Sequence, residues 1–257
     1  MNRVIYQNNP LIEVILQIRF PTNLSISNDD PVKFQQGISS LFPIYLPQLQ
    51  NEQEITFETI NTEIQPVFKN RSSKNHTFIT KDGVSKITLT NSTISISTLK
   101  YTRWEDFFQK FKEVVNIFIE VYKPQFFERI GLRYIDAYKK KELNLDGVSW
   151  TKLINQPWIG VLSSIDEKKA VISTIDTEFK KDEKSTRIKV HSGLGRLSNY
   201  PDLVFIIDSD FINISNIDID DWISVSEKLH DYSDEFYQDT ITEKLKEQLK
   251  PIPIGAQ

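Results

Sequence analysis

The chain contains no cysteine. That excludes disulfide stapling, a thiolate nucleophile and zinc sites built on sulfur ligands. Histidine is scarce as well: His76, His191 and His230 lie far apart, without the close spacing of a histidine metal motif. No run approaches the roughly 18 uninterrupted apolar residues of a membrane span, so no crossing is expected. The opening Met1-Asn2-Arg3-Val4-Ile5-Tyr6 lacks the apolar stretch of a secretory signal, and the cytosol is the expected location. Bulk positive charge is missing too. A net charge of -4 and a pI near 5.5 argue against general electrostatic attraction to nucleic acid.

What is present suits a folded core. Among 257 residues 39% are hydrophobic and 26% charged, and 16 Phe, 9 Tyr and 4 Trp supply large rings to fill that core. The charge is uneven. Between residues 66 and 103, Lys69, Arg71, Lys74, Lys81, Lys86, Lys100 and Arg103 stand against a single acid, Asp82. A local basic face on an acidic protein is one reading of this stretch.

Periodicity places the elements. Ile12, Val14, Leu16, Ile18 and Phe20 alternate with polar residues, which predicts a strand with one buried face, stopped by Pro21. Asp29 or Asp30 is expected to cap a short helix carrying Phe34, Ile38, Leu41 and Phe42. Strands follow over residues 54 to 101. The clearest are Ile87–Thr90 and Thr93–Ser97, joined at Asn91-Ser92 as a hairpin. Thr102 and Glu105 form a capping box, and an apolar stripe from Trp104 to Tyr122 predicts a long helix ended by Pro124.

The order then repeats. Ile130, Leu132 and Tyr134 mark a strand, Trp150–Ile154 a short helix, and segments near 170–179, 187–190 and 203–214 further strands. A final helix from Asp220-Asp221 runs to Leu249, with Pro251 beyond it. The expectation is an α+β fold of two similar halves, 1–124 and 125–257. Each reads strand, short helix, antiparallel strands, long helix, as in helix-grip or TATA-binding-like folds whose sheet wraps a helix.

Pro10-Leu11-Ile12-Glu13-Val14, Phe42-Pro43, Arg129-Ile130-Gly131-Leu132-Arg133-Tyr134-Ile135, Leu229-His230, Phe236 and Thr240-Ile241-Thr242 carry a resemblance. With these motifs and its length, the chain resembles a sporadically distributed family of conserved hypothetical bacterial proteins marked by a Gly-Leu-Arg-Tyr strand. The resemblance implies a bacterial source and a mobile or defence-type gene neighbourhood, and no activity. Where it implies Asn after Arg-Tyr-Ile, this chain has Asp136.

Five groups invite a functional reading, each with a plainer alternative. Arg129 and Arg133 share one strand face with Gly131 between them, a bare shelf that suits phosphate or carboxylate, or else simply part of a cross-strand ion pair with an acid such as Glu13. Asp166, Glu178 and Lys180 have the residue types of a metal-dependent nuclease, in which two carboxylates hold Mg²⁺ and a lysine activates water. Asp208 and Asp210 form a possible divalent-metal pair or else a solvated strand. Lys69, Arg71 and Lys74, with Phe68, His76, Phe78 and Tyr101 nearby, suit single-stranded nucleic acid or else solubilise a sheet. Gly193-Leu194-Gly195-Arg196 lacks the remainder of a phosphate loop and reads as a loop between strands.

No cluster combines the residue types and spacing of an established catalytic site. The leading expectation is therefore a non-catalytic binding or interaction protein, with no cofactor, whose ligand or partner is unidentified. A metal-dependent, nuclease-like enzyme acting on nucleic acid or nucleotides is the alternative. Self-association through strand edges is a further possibility.

Overall fold

The structure, a computed structural model, describes residues 4–60, 63–182 and 185–253, and their side chains except those of 28, 48–74 and 168. In chain order the elements are β1 (Val4–Tyr6), β2 (Leu11–Arg19), α1 (Leu24–Asn28), α2 (Val32–Ile38), β3 (Ile44–Ile60), β4 (Glu63–Ile79), β5 (Ser85–Leu89), β6 (Thr93–Thr98) and α3 (Trp104–Tyr122). There follow β7 (Phe126–Tyr138), α4 (Gln156–Ile159), β8 (Ser173–Lys180), β9 (Thr186–Gly195), β10 (Val204–Asp218), α5 (Trp222–Thr240), α6 (Glu243–Leu249) and β11 (Pro251–Pro253). Short 3₁₀ turns bridge β7 and β8.

The chain is an α+β protein built on a large antiparallel sheet. Its nine strands run in the order β3-β4-β5-β6-β2-β7-β10-β9-β8, and a separate pair joins β1 to β11. The alternating pattern of β2 buries Val14, Leu16 and Ile18, as its period demands. Ile12 departs from that pattern. The pairing of β2 with β7 skips a residue between Leu11 and Glu13, which takes Ile12 out of register and leaves it half-buried. In β7 the same period turns Ile130, Leu132, Tyr134, Asp136 and Tyr138 inward.

The two long helices cover this inner face. Phe118 of α3 packs on Phe20 beside β2, and Phe236 of α5 packs on Phe211 of β10. The helices also touch each other. Trp104 stacks on His230 with centroids 4.4 Å apart, while Phe108 and Phe111 meet Trp222 edge-on. As α3 advances from 104 to 111 its partner on α5 steps back from 230 to 222, so the two helices run antiparallel. One hydrophobic cluster spans strands and helices of both halves.

Several boundaries differ from the sequence reading. Arg103, not Thr102, is the N-cap of α3, and it gives no side-chain cap bond; instead it pairs with Asp106 in the first turn. Pro31 opens α2, and Asp29 ends α1, a helix whose own cap is the Asn23 side chain. The last helix is broken. Ile241 turns extended and bridges Ile154, and Thr242 then caps α6 by accepting from the Leu245 amide. Gly193 and Gly195 lie in β9 rather than in a loop. A side chain at Gly193 would place its Cβ 1.9 Å from the Ser173 carbonyl oxygen, so the close approach of β8 requires glycine there. Among the described residues, no helix is long and apolar enough to cross a membrane.

Candidate functional site: a polar pocket beneath the C-terminal helix

The two faces of the sheet hold different chemistry. On the outer face, antiparallel register sets Arg133 beside Asp210, Asp210 beside Lys189 and Lys189 beside Glu178 across four strands. The next row holds Asp208, His191 and Asp176. The sequence candidates Arg129, Gly131, Arg133, Glu178, Asp208 and Asp210 thus come together on β7, β8 and β10.

They come together mainly by pairing with one another or with near neighbours. Arg133 donates Nε and Nη2 to Asp208 at 2.6 and 2.5 Å, a bidentate clasp that holds its guanidinium charged and raises its pKa. Arg129 donates to Gln17 at 2.9 Å and to Asp210 at 3.1 Å. Burial nonetheless raises the Asp210 carboxyl above its ordinary range, against the pull of Arg129 and Arg133. Glu178 takes Arg187 at 3.0 Å, and Asp176 takes His191 at 2.9 Å. Glu13 is not the close partner of either arginine. The shelf over Gly131 is occupied as well: the Arg129 guanidinium lies where a Gly131 Cβ would point, its Nη2 2.7 Å away.

The other candidates are scattered. Asp166 is exposed beside the 3₁₀ turn Glu167–Lys169, and Lys180 is exposed opposite Arg187. Among the described residues, no three acidic or histidine side chains converge as metal ligands. The side chains of Lys69, Arg71 and Lys74 lie outside the described residues. Backbone register sets Arg71 opposite Glu52 and Lys69 opposite Glu54, so acids of β3 accompany the bases of β4. His76 and Phe78 are fully buried, with His76 Nδ1 2.9 Å from the Tyr45 hydroxyl, so neither ring face is open to a nucleobase.

The inner face holds what sequence reasoning missed. A cavity of about 120 Å³ lies between the inner ends of β7 and β10, the helix α5, the start of α3 and the strand β1. Its mouth carries the exposed Asn9, Thr102, Arg103 and Glu105. Its floor is the inward row of β7, Tyr134, Asp136 and Tyr138, flanked by Ile207 and Ser209 of β10. Helix α5 closes it with His230, Ser233, Phe236 and Tyr237.

Part of this polar lining is well satisfied. The Tyr134 hydroxyl bonds His230 Nδ1 at 3.0 Å, and Ser233 donates to the His230 carbonyl at 2.7 Å. The deepest part is not. Asp136 is 3% exposed, and its Oδ1 finds no hydrogen-bond partner among the described residues. The hydroxyls of Tyr138 and Tyr237 find none beyond each other, and each bears on the other's ionisation as a hydrogen-bond partner would. Burial, with a smaller push from the Asp208 charge, lifts the Asp136 carboxyl to about 8. Burial likewise pushes Tyr138 and Tyr237 well above the ordinary tyrosine range.

A signal for this site was in the sequence. Asp136 continues the inward series Ile130, Leu132, Tyr134 at the same period of two, so the strand pattern itself sends a carboxyl to the core side. No family model matches the chain, and no curated protein matches it at a significant level.

Proposed function

We propose that this chain is a binding protein without catalytic activity, and that it takes a small molecule in the pocket between the sheet and α5. The observation that carries the reading is a set of buried oxygens in the deepest part of the pocket, Asp136 Oδ1 and the Tyr138 and Tyr237 hydroxyls, which find no partner among the described residues beyond one another. Leaving a buried polar atom unpaired costs about 1–3 kcal/mol, and folded proteins rarely leave several in one place. The described residues leave that capacity open to solvent or to a ligand. An aromatic wall with a few convergent polar groups is the usual make-up of a small-molecule site. The outer face is a weaker candidate because its charges already satisfy one another.

The resemblance to the sporadic bacterial family supports a cytosolic bacterial setting and a mobile or defence-type gene neighbourhood as part of this reading. A two-halves ancestry belongs to it as well. In each half the opening strand, β2 or β7, pairs with the strand that leads into the long helix, β6 or β10, and the opening strands pair with each other. The helix-grip comparison draws its support from the placing of α3 and α5 on one sheet face.

Crystals soaked with a chemically mixed fragment set test the site. Fragments are expected to collect against Asp136, Tyr138 and Tyr237. Fragments collecting on the Arg133–Asp208 face instead, or none in the pocket, would refute the reading.

A further inference from the structure

Given a ligand site beneath α5, its charges narrow what it holds. The carboxyls of Asp136, Glu105 and Asp234 line it. Against them stands Arg103, whose guanidinium is already committed to Asp106 by bonds of 2.7 and 2.9 Å. His230 is stacked on Trp104 and bonded to Tyr134. An anion entering here meets the carboxyl groups of Glu105 and Asp234 and a single engaged guanidinium. The walls are rings: Tyr6, Tyr101, Trp104, Tyr138 and Tyr237 present π faces or edges around the polar floor.

We infer that the pocket takes a small primary ammonium, its N–H groups accepted by Asp136 Oδ1 and the Tyr138 and Tyr237 hydroxyls beside the rings of Tyr6 and Trp104. The match is one of valence. A primary ammonium has three donors and no acceptor. The inner end of the pocket offers the Asp136 carboxylate, once its proton has left, with the Tyr138 and Tyr237 hydroxyls, each of which keeps a lone pair to accept with. A neutral alcohol or amide brings an acceptor oxygen of its own and fewer donors. Aromatic rings around a cation add attraction that a neutral group does not receive.

Binding then has a proton signature. With its carboxyl near 8, Asp136 is mostly protonated at neutral pH. The titratable groups around it are Tyr138 on its own strand, Tyr237 from α5, Tyr6 from β1 and, through the sheet, Asp208 on β10. The tyrosines are raised by burial and stay neutral. Toward the mouth lie Glu105, Asp234, Arg103 and His230. An ammonium seated against Asp136 favours the carboxylate and expels its proton. One positive charge enters, one proton leaves, and the O–H bond of Asp136 is exchanged for an ion pair.

The test is calorimetric titration of the full chain with n-butylammonium at neutral pH, in two buffers of different ionisation enthalpy. Butyramide and butyrate serve as neutral and anionic isosteres. Saturable amine binding is expected, with close to one proton released per site. Asp136→Asn, which keeps the shape and removes the charge, is expected to weaken it by about tenfold or more. Tyr237→Phe removes only a hydroxyl and is expected to weaken it by a few-fold. Binding of butyramide as tightly as the amine, binding of butyrate, or amine binding untouched by Asp136→Asn each overturns the ammonium assignment. So does failure of the amine to bind at about 10 mM. If soaked fragments still occupy the pocket in those cases, the ligand-site reading survives without its cation. If they do not, that reading falls too.

Discussion

Asp136 is the residue on which most of the chemistry turns. A carboxyl facing the core is costly when ionised, and the chain meets that cost by keeping the proton. In the unfolded chain the carboxyl titrates near its ordinary 3.8, whereas in the fold it titrates near 8. A raised folded pKa adds stability that is fully present below the unfolded value and is lost as pH rises through the folded one. Wild-type stability is therefore expected to fall between about pH 4 and pH 8 on account of this one group. Asp136→Asn does not titrate. It is expected to match the wild type near pH 4 and to exceed it increasingly toward pH 8, with an upper bound of about 5 kcal/mol. Urea unfolding of both proteins at several pH values measures the difference. Parallel stability curves would show that Asp136 is ionised in the fold, and would remove the proton signature expected for an ammonium ligand.

Single strands carry two chemistries because neighbouring side chains point to opposite faces. Asp136 faces the pocket from β7, and the next strand, β10, sends Asp208 the other way, to the Arg133 clasp. The two carboxyls still sense each other through the sheet, since the Asp208 charge helps to raise Asp136. Asp208→Asn removes that charge and leaves the Arg133 guanidinium less compensated, and both changes favour the Asp136 carboxylate. Its pKa is expected to move down. Carboxyl NMR titration of Asp136 in the two proteins reads this directly, and an unchanged or raised value would deny coupling across the sheet. The pair itself is half-open to solvent, so its loss is expected to cost little stability, about 1 kcal/mol or less.

At this scale the sequence was readable where period and burial agree. Val14, Leu16, Ile18, Ile130 and Leu132, and the stripe from Trp104 to Phe118, lie where their spacing puts them. Element ends were less legible, because caps depend on a few local bonds. The Thr102 and Glu105 spacing fits a capping box, yet the helix begins one residue later, where Arg103 can reach Asp106. The break at Ile241 was hidden for a similar reason. Apolar spacing continues through it, and only the bridge to Ile154, distant in sequence, pulls the backbone out of the helix. The pocket was hidden because its walls come from β1, α3, β7, β10 and α5, and no local pattern announces that these will meet.

Across the whole molecule, the sheet has its seam at the centre rather than at an edge. Strands β2 and β7, one from each half, pair from Leu11–Asp136 to Arg19–Arg129, and β3 and β8 form the outer edges. Helices α3 and α5 close the same seam from above through Trp104, Phe108, Phe111, Trp222 and His230. Separating the halves would strip a central strand of its neighbour and bare several aromatic rings on each side. Folding is therefore expected to be one cooperative event. Circular dichroism and tryptophan fluorescence, with Trp104 in one half and Trp150, Trp158 and Trp222 in the other, should report the same midpoint. Trp222→Ala opens a cavity at the helix contact and is expected to cost about 3–5 kcal/mol, lowering both signals together. Two transitions, or a fluorescence midpoint that drops while the backbone signal keeps a second phase, would show that the halves fold independently. The pocket spans the same seam, with Tyr101 and Trp104 from one half and Asp136 and Tyr237 from the other. A ligand held there would tie the halves together and raise that shared midpoint as its concentration rises.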